Sequence, residues 1–411
     1  MLGSVSRSYF KGHYLDTQAT SVLDPRVFDT MIPYETYVHG NAHSKQHGFG
    51  QEAMAAVEKA RKSVADLINA KPNEIIFTSG ATECNNIAIK GAMGYLKNSG
   101  KKHVIVSSIE HKCVIESARA LQKEGFDATF LQVGKDGRVD PKEVAKNIRP
   151  DTGLVSCMLV NNEIGSINPV QEISKICKSK GVWFHTDAAQ GFGKIPIDVK
   201  KIGANFMSIS GHKIHGPKGI GALYVSSRPR SRVEPIINGG GQERNIRSGT
   251  LAVPLIVGLG KAAEIAKREM KYDSPYIESL GKHLIEEVTK RIPYATVNGS
   301  LEHRWFGCVN ISFEAVEGES LMATIPNFGV SSGSACTSAS LEPSYVLKGI
   351  GVGDELAHTS LRIGISKFTT REEVDQFVEL LEHAVKHLRD LSPLWEMKMS
   401  GIDLSQVEWI Q

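Results

Sequence analysis

The sequence predicts an α/β protein: a large domain on a mainly parallel seven-stranded sheet, followed by a smaller α+β domain. Three observations lead there. Between about residues 50 and 250, seven short β-branched runs alternate with helical stretches, the rhythm of βαβ units. Five of those runs end in polar or ionisable residues, as strands do where a parallel sheet presents its ligand edge. Near residue 270 the alternation stops and a different order of elements begins.

The elements follow in order. Over 51–69, Met54, Val57, Val64, Leu67 and Ile68 share one face at helical spacing. Residues 74–78 (EIIFT) form a strand closed by Ser79-Gly80, and 103–107 (HVIVS) form another, with a helix from there to about 124. Residues 128–133 make a strand that ends at the Asp136-Gly137 turn, and Asp140-Pro141 has the form of an N-cap and first helical residue. Further strands fall at 154–160, 182–186, 206–210 and 220–225. A helical stretch from about 251 runs into Lys271-Tyr272-Asp273-Ser274-Pro275, where a break is expected. Beyond it come a helix, strands near Tyr294 and Val309, a Gly/Ser-rich loop over 328–340, a strand at 361–365 and a helix over 371–391. Pro393 should end that helix and leave a tail exposing Leu394, Trp395, Leu404, Val407, Trp409 and Ile410.

Composition excludes several classes. The chain has 411 residues, 41% hydrophobic and 23% charged, which is globular rather than disordered. Forty-eight basic against 45 acidic residues give a net charge of +3, too small an excess to indicate a nucleic-acid partner. The longest apolar stretch, 251–260, is about half the ~20 residues of a membrane span. None of the six cysteines stands in a C-x-x-C pair, and scattered single cysteines suit a reducing compartment. The first 14 residues hold Arg7, Lys11, three serines and no acid, a composition shared with organelle transit peptides.

The residues after the strands suggest chemistry. Ser79-Gly80-Ala81-Thr82 opening a helix is a phosphate cradle of backbone N–H groups, a hydroxyl and a positive helix end. It has neither the G-x-x-x-x-G-K-[ST] nor the G-x-G-x-x-G pattern of nucleotide sites. Asp187 at a strand end can pair with a protonated pyridine nitrogen, and Lys213 after Ser-Gly-His can form a Schiff base. A phosphate site, an Asp and a Lys are the parts a pyridoxal 5′-phosphate (PLP) enzyme needs.

The segments SGATECNN, SSIEHKCV, VNNEIG, HTDAAQ, SGHKIHGPKG and RSGT resemble the large domain of cysteine desulfurases, in the class V aminotransferase branch of fold-type I PLP enzymes. SSGSACTSAS and LRIGIS resemble its small domain, and the likeness runs from about Tyr14 to the C-terminus. The resemblance implies a role for each matching position. Lys213 holds the cofactor and moves protons; Asp187 keeps the pyridine nitrogen protonated; Gln190 donates to its phenolic oxygen. His111 stacks on the ring and assists acid–base steps. Ala81, Thr82, Ser210 and His212 bind phosphate, with Thr250 supplied by the partner subunit of a homodimer. Asn162 and Arg362 hold the substrate carboxylate, Arg362 as a bidentate clamp. The likeness divides the chain into an arm over 1–22 packing with the small domain, a large domain over 23–270 and a small domain over 271–411. The last includes the 328–340 loop and a partner-docking tail over 392–411.

Cys336 lies in the loop, among Gly333 and small polar residues. A thiolate nucleophile needs that kind of exposure. The loop matches the long S-S-G-S-A-C-T-S form, able to carry a persulfide from the cofactor to a partner. Cys84, Cys113, Cys157, Cys177 and Cys308 lie in apolar or helical patterns and are expected to be structural. The implied activity is conversion of L-cysteine to L-alanine, with sulfur left on Cys336 for an iron–sulfur scaffold protein and for tRNA thiolation. Implied partners also include a frataxin-like protein and a small accessory subunit. Cys336 would transiently ligate a [2Fe-2S] cluster shared with the scaffold, with no resident metal. Gln18-Ala19-Thr20 matches the mitochondrial type of the family and points to a mitochondrion or related organelle, with cytoplasm the alternative.

Other readings are a selenocysteine lyase, a small-molecule aminotransferase, or a non-catalytic partner-binding scaffold. Transamination needs no thiol, and the intact Lys213, Asp187 and Cys336 speak against a scaffold. His39, His43 and His47 have helical ligand spacing, but Gly40, Asn41 and Gly48 oppose a helix there. Arg228-Pro229-Arg230-Ser231-Arg232 reads as a solvated loop, with docking of an acidic partner second.

Overall fold

The structure is a computed structural model that describes residues 12–332 and 343–401. Its strands in chain order are β1 (His13–Tyr14), β2 (Ile75–Thr78), β3 (His103–Ser107), β4 (Asp127–Leu131), β5 (Thr152–Ser156), β6 (Trp183–Asp187), β7 (Phe206–Ser210), β8 (Gly221–Val225), β9 (Ala295–Val297), β10 (Cys308–Phe313), β11 (Phe328–Gly329) and β12 (Ser360–Gly364). Seven of them form one sheet in the order β2-β8-β7-β6-β5-β3-β4. Only β8 runs against its neighbours, so β2, β3, β5, β6 and β7 all end at the same edge.

Every residue of β2, β3, β5, β7 and β8 is buried, because helices cover both faces of the sheet. That explains why these strands read as continuous apolar runs rather than alternating ones. The edge strand β4 is only part-buried and starts on exposed Asp127. The buried His185 of β6 is satisfied within the sheet: it bonds Ser156 of β5 at 2.8 Å and Ser208 of β7 at 3.0 Å. Asp140 caps the helix Pro141–Asn147 with Pro141 at its first position. The helix Gly48–Leu67 packs on the helix Val253–Arg291 so closely that a Cβ on Gly260 would lie 2.5 Å from Ala60 Cα.

The expected break at 271–275 does not occur. Val253–Arg291 is one helix with Pro275 inside it. Its buried residues fall in two groups, from Val253 to Ala266 and from Ile277 to Val288. The segment between crosses from one packed body to another and is not buried, so its apolar periodicity lapses without the helix ending. The first half lies against helices Pro25–Thr36 and Gly48–Leu67, the second against Arg371–Asp390. The C-terminal region holds a three-stranded antiparallel sheet, β12-β10-β9, beside these helices.

The N-terminal segment links the two bodies. β1 pairs in parallel with β11, Gly364 N–H donates to Leu15 O at 2.7 Å, and Gln18 Nε2 donates to Gly307 O at 2.7 Å. On the other side Ser21 N–H donates to His212 O at 2.8 Å. After residue 391 the chain does not run free. Pro393–Met399 is a short helix with Pro393 at its start, and Trp395 lies under Arg389 at 4.3 Å and edge-on to Tyr294 at 5.6 Å. Leu394 and Trp395 are therefore half-buried rather than exposed. Leu404, Val407, Trp409 and Ile410 lie outside the described residues, as do Arg7 and Lys11. Among the described residues no helix is long and apolar enough to cross a membrane.

Candidate active site

The shared edge of β2, β3, β5, β6 and β7 opens into a cavity of about 510 Å³. Ala81, Thr82, His111, Asn162, Asp187, Gln190, Ser210, His212, Lys213 and Arg362 all line it. Thr250 does not; it is exposed on the loop after the 3₁₀ turn Glu243–Asn245. Cys336 and its loop, from Gly333 to Glu342, lie outside the described residues.

The floor is built from strand ends. Asp187, last in β6, is 4% exposed; its Oδ2 accepts Asn85 Nδ2–H at 2.7 Å and its Oδ1 accepts the Ala189 N–H at 2.9 Å. Asn85 also donates to Cys113 Sγ at 3.1 Å, and that sulfur lies 2.9 Å from His111 Nδ1. His111 N-caps the helix Lys112–Lys123, its Nδ1 accepting the Cys113 N–H at 3.2 Å. An accepting Nδ1 places the proton of neutral His111 on Nε2. Lys213 follows β7 in a 3₁₀ turn, its Nζ donating to Gln18 O at 2.5 Å and Ala19 O at 2.7 Å.

At the end of β2, Gly80 has φ +154, a conformation open to glycine alone, and offers no side chain to cap the helix Ala81–Asn86. The uncapped first turn faces the same cavity as Ser210, His212 and Lys218. Glu83 holds the Ser79 N–H at 2.6 Å and Arg247 Nε at 2.9 Å, tying the cradle to the Thr250 loop. Burial, and then Lys213, Lys218 and Lys194, push His212 down to about 4, so it is a neutral hydrogen-bonding group, 3.0 Å from Thr20 Oγ1. Opposite, Arg362 of β12 is 2% exposed and donates to Asp16 Oδ1 at 2.9 Å and to Asn162 O at 3.2 Å.

This set fits PLP. A buried carboxylate suits a pyridinium nitrogen, a strand-end amine suits the aldehyde, and an uncapped helix start with a neutral histidine suits a phosphate. The cavity falls within the roughly 300–1,000 Å³ of small-ligand sites.

The family model for class-V aminotransferases matches residues 13–377. Human cysteine desulfurase is 56% identical over 398 residues, covering 97% of this chain and 87% of that protein. The chain belongs to the class-V aminotransferase family, among its cysteine desulfurases. The Arabidopsis thaliana protein named mitochondrial cysteine desulfurase is also 56% identical, covering 97% and 88% of the two chains. A solved NifS-like protein superposes with a TM-score of 0.85 at 36% identity, covering 92% of this chain and all of that one. This family depends on PLP.

Sequence reasoning missed several residues of the site. Asn85, one helical turn after Thr82, is the donor shared by Asp187 and Cys113. Cys113, expected to be structural, lines the cavity. Its place two residues after His111 at a helix start was the available signal. Gln18, Ala19 and Thr20 line the cavity as well, and Asp16 pairs with Arg362. The other four described cysteines are buried, and burial pushes Cys84 and Cys177 to about 12 and Cys308 to about 11. His39 stacks on Phe49 and His47 caps the helix Gly48–Leu67, so each has a local partner.

Proposed function

We infer that this protein is a PLP-dependent cysteine desulfurase that converts L-cysteine to L-alanine and leaves the sulfur as a persulfide on Cys336. The carrying observation is the convergence of Lys213, Asp187 and the uncapped start of Ala81–Asn86 on one cavity, from three separate strand ends. When bound, PLP supplies an electron sink for charge developing at the substrate α-carbon. Asp187, fixed by Asn85 and the Ala189 N–H, would pair with the pyridine nitrogen. Gln190 would donate to the phenolic oxygen. Ala81, Thr82, Ser210 and His212 would hold the phosphate, and His111, with its proton on Nε2, would lie against the ring. Arg362 and Asn162 receive the substrate carboxylate, and Lys213 moves protons at its α-carbon.

Cys336 then takes the sulfur as a thiolate. An S–S bond forms as the substrate's C–S bond breaks; the bonding pair passes to the β-carbon, which takes up a proton, matching the one Cys336 gave up as a thiolate, and becomes the methyl group of alanine. The persulfide passes to an iron–sulfur scaffold protein, and the relatives named mitochondrial support a mitochondrial setting. We read residues 1–22 as an arm, 23–270 as the large domain and 271–411 as the small one; the sheet divided from β9, β10 and β12 supports this. Thr250, exposed and outside the cavity, supports a homodimer in which each subunit completes the other's phosphate site.

The purified protein should show the visible absorption of lysine-bound PLP and form alanine from cysteine. Lys213→Ala should lose both. Alanine formation by that variant at a comparable rate would refute the assignment of Lys213, and a protein that never takes up PLP would refute the function.

A further inference from the structure

Behind Gln190 lies a lysine to which neither the family resemblance nor the mechanism above gives a role. Lys194 Nζ donates to Gln190 Oε1 at 2.7 Å, and Gln190 Nε2 donates to Gln18 O at 3.1 Å. The Gln18 carbonyl can only accept, so that contact alone places the Gln190 nitrogen, and Lys194 donates to the oxygen at the other end of the amide. The Gln190 nitrogen carries a second N–H besides the one given to Gln18, and Gln190 lines the cavity. Lys194 is itself held in place. Its N–H donates to Gly191 O at 3.1 Å, and its carbonyl accepts Ser274 Oγ–H at 2.6 Å from the long helix.

The surroundings make this cation expensive. Lys194, Lys213, His215, Asp273 and Lys367 face a small second cavity of about 40 Å³ behind the site. Lys367 is already paired with Asp24 and Glu269, and burial holds His215 neutral near 4. Burial, and then the neighbouring Lys213, push the Lys194 amine down to about 7, with the Cys308 thiol acting weakly the other way. A lysine chosen only to fill space would be better replaced by an apolar side chain.

We propose that Lys194 is a positioning residue: it locks the Gln190 amide so that its free N–H meets the phenolic oxygen of bound PLP. The proposal rests on the PLP reading above. Its function is to prevent the amide from turning its oxygen toward that oxygen, where the two would repel.

The experiment titrates the visible absorption of the PLP-loaded protein with pH. A donor at the phenolic oxygen favours its anionic form and lowers the midpoint. Lys194→Met should raise the midpoint by about one pH unit and weaken PLP binding about tenfold, the scale of one charge-assisted hydrogen bond. Lys194→Arg, which still donates, should restore the wild-type midpoint. Lys194→Gln, which keeps the site polar, serves if Lys194→Met does not fold, and should shift the midpoint the same way. A cycle with Gln190→Ala separates the lock from the bare charge of Lys194. In the Gln190→Ala background, Lys194→Met should add no shift. A wild-type midpoint in Lys194→Met, or an equal shift with and without Gln190, would overturn the proposal. A wild-type protein with no visible band would instead overturn the PLP reading itself.

Discussion

Asp187, Asn85, Cys113 and His111 form one hydrogen-bonded series, and its middle members decide what the outer two can do. The Asn85 amide gives its nitrogen to both the Asp187 carboxylate and the Cys113 sulfur. Asp187→Asn should lower turnover by orders of magnitude while changing KM little, because the lost charge acts on the transition state more than on substrate binding. Asn85→Ala should lower PLP affinity and turnover about tenfold, the scale of one hydrogen bond to a charged group. Steady-state kinetics and PLP titration check both. Unchanged turnover in Asp187→Asn would make that residue merely structural. Asp187 and Lys213 were legible in the sequence because strand ends of a parallel sheet converge. Asn85 was not, since its partners lie on separate elements and come together only by folding.

The long helix Val253–Arg291 shows where reading elements from pattern fails. Pro275 and the polar run before it signal a break, yet each half of the helix is pinned by its own packing partners. Proline there lacks the N–H that would bond the carbonyl of Lys271, and a proline inside a helix costs about 3 kcal/mol. Pro275→Ala should therefore raise the melting temperature, with helical content by circular dichroism unchanged. A lower melting temperature would mean that the proline shapes the crossing between the two bodies. The tail shows the opposite case. Pro393 marks a boundary in the sequence, but it opens a new helix because Trp395 finds Arg389 and Tyr294 to pack on. The strands were easier to place, because burial on both faces leaves an unbroken apolar run.

At the scale of the whole molecule, buried carboxyls set part of the pH dependence of stability. Glu110, next to His111, is fully buried; its Oε1 accepts the Met158 N–H at 2.6 Å, and burial pushes it up to about 8 from an ordinary 4.5. The native state thus keeps a proton that the unfolded chain gives up. The stability this contributes is complete below the ordinary value and is lost as pH rises through about 8. Glu110→Gln mimics the protonated acid, so its melting temperature relative to wild type should rise between about pH 5 and about pH 9. A difference independent of pH would show that Glu110 is ionised in the native protein.

The proposed chemistry has one covalent outcome. In the sequence the small polar residues around Cys336 point to it as the sulfur acceptor, and the cavity supplies the groups that would deliver sulfur to it. Peptide mass spectrometry after incubation with cysteine tests this most directly. The account predicts one added sulfur on the peptide holding Cys336, absent in Lys213→Ala; added sulfur mainly on Cys113 or Cys308, or equally present without Lys213, would contradict it.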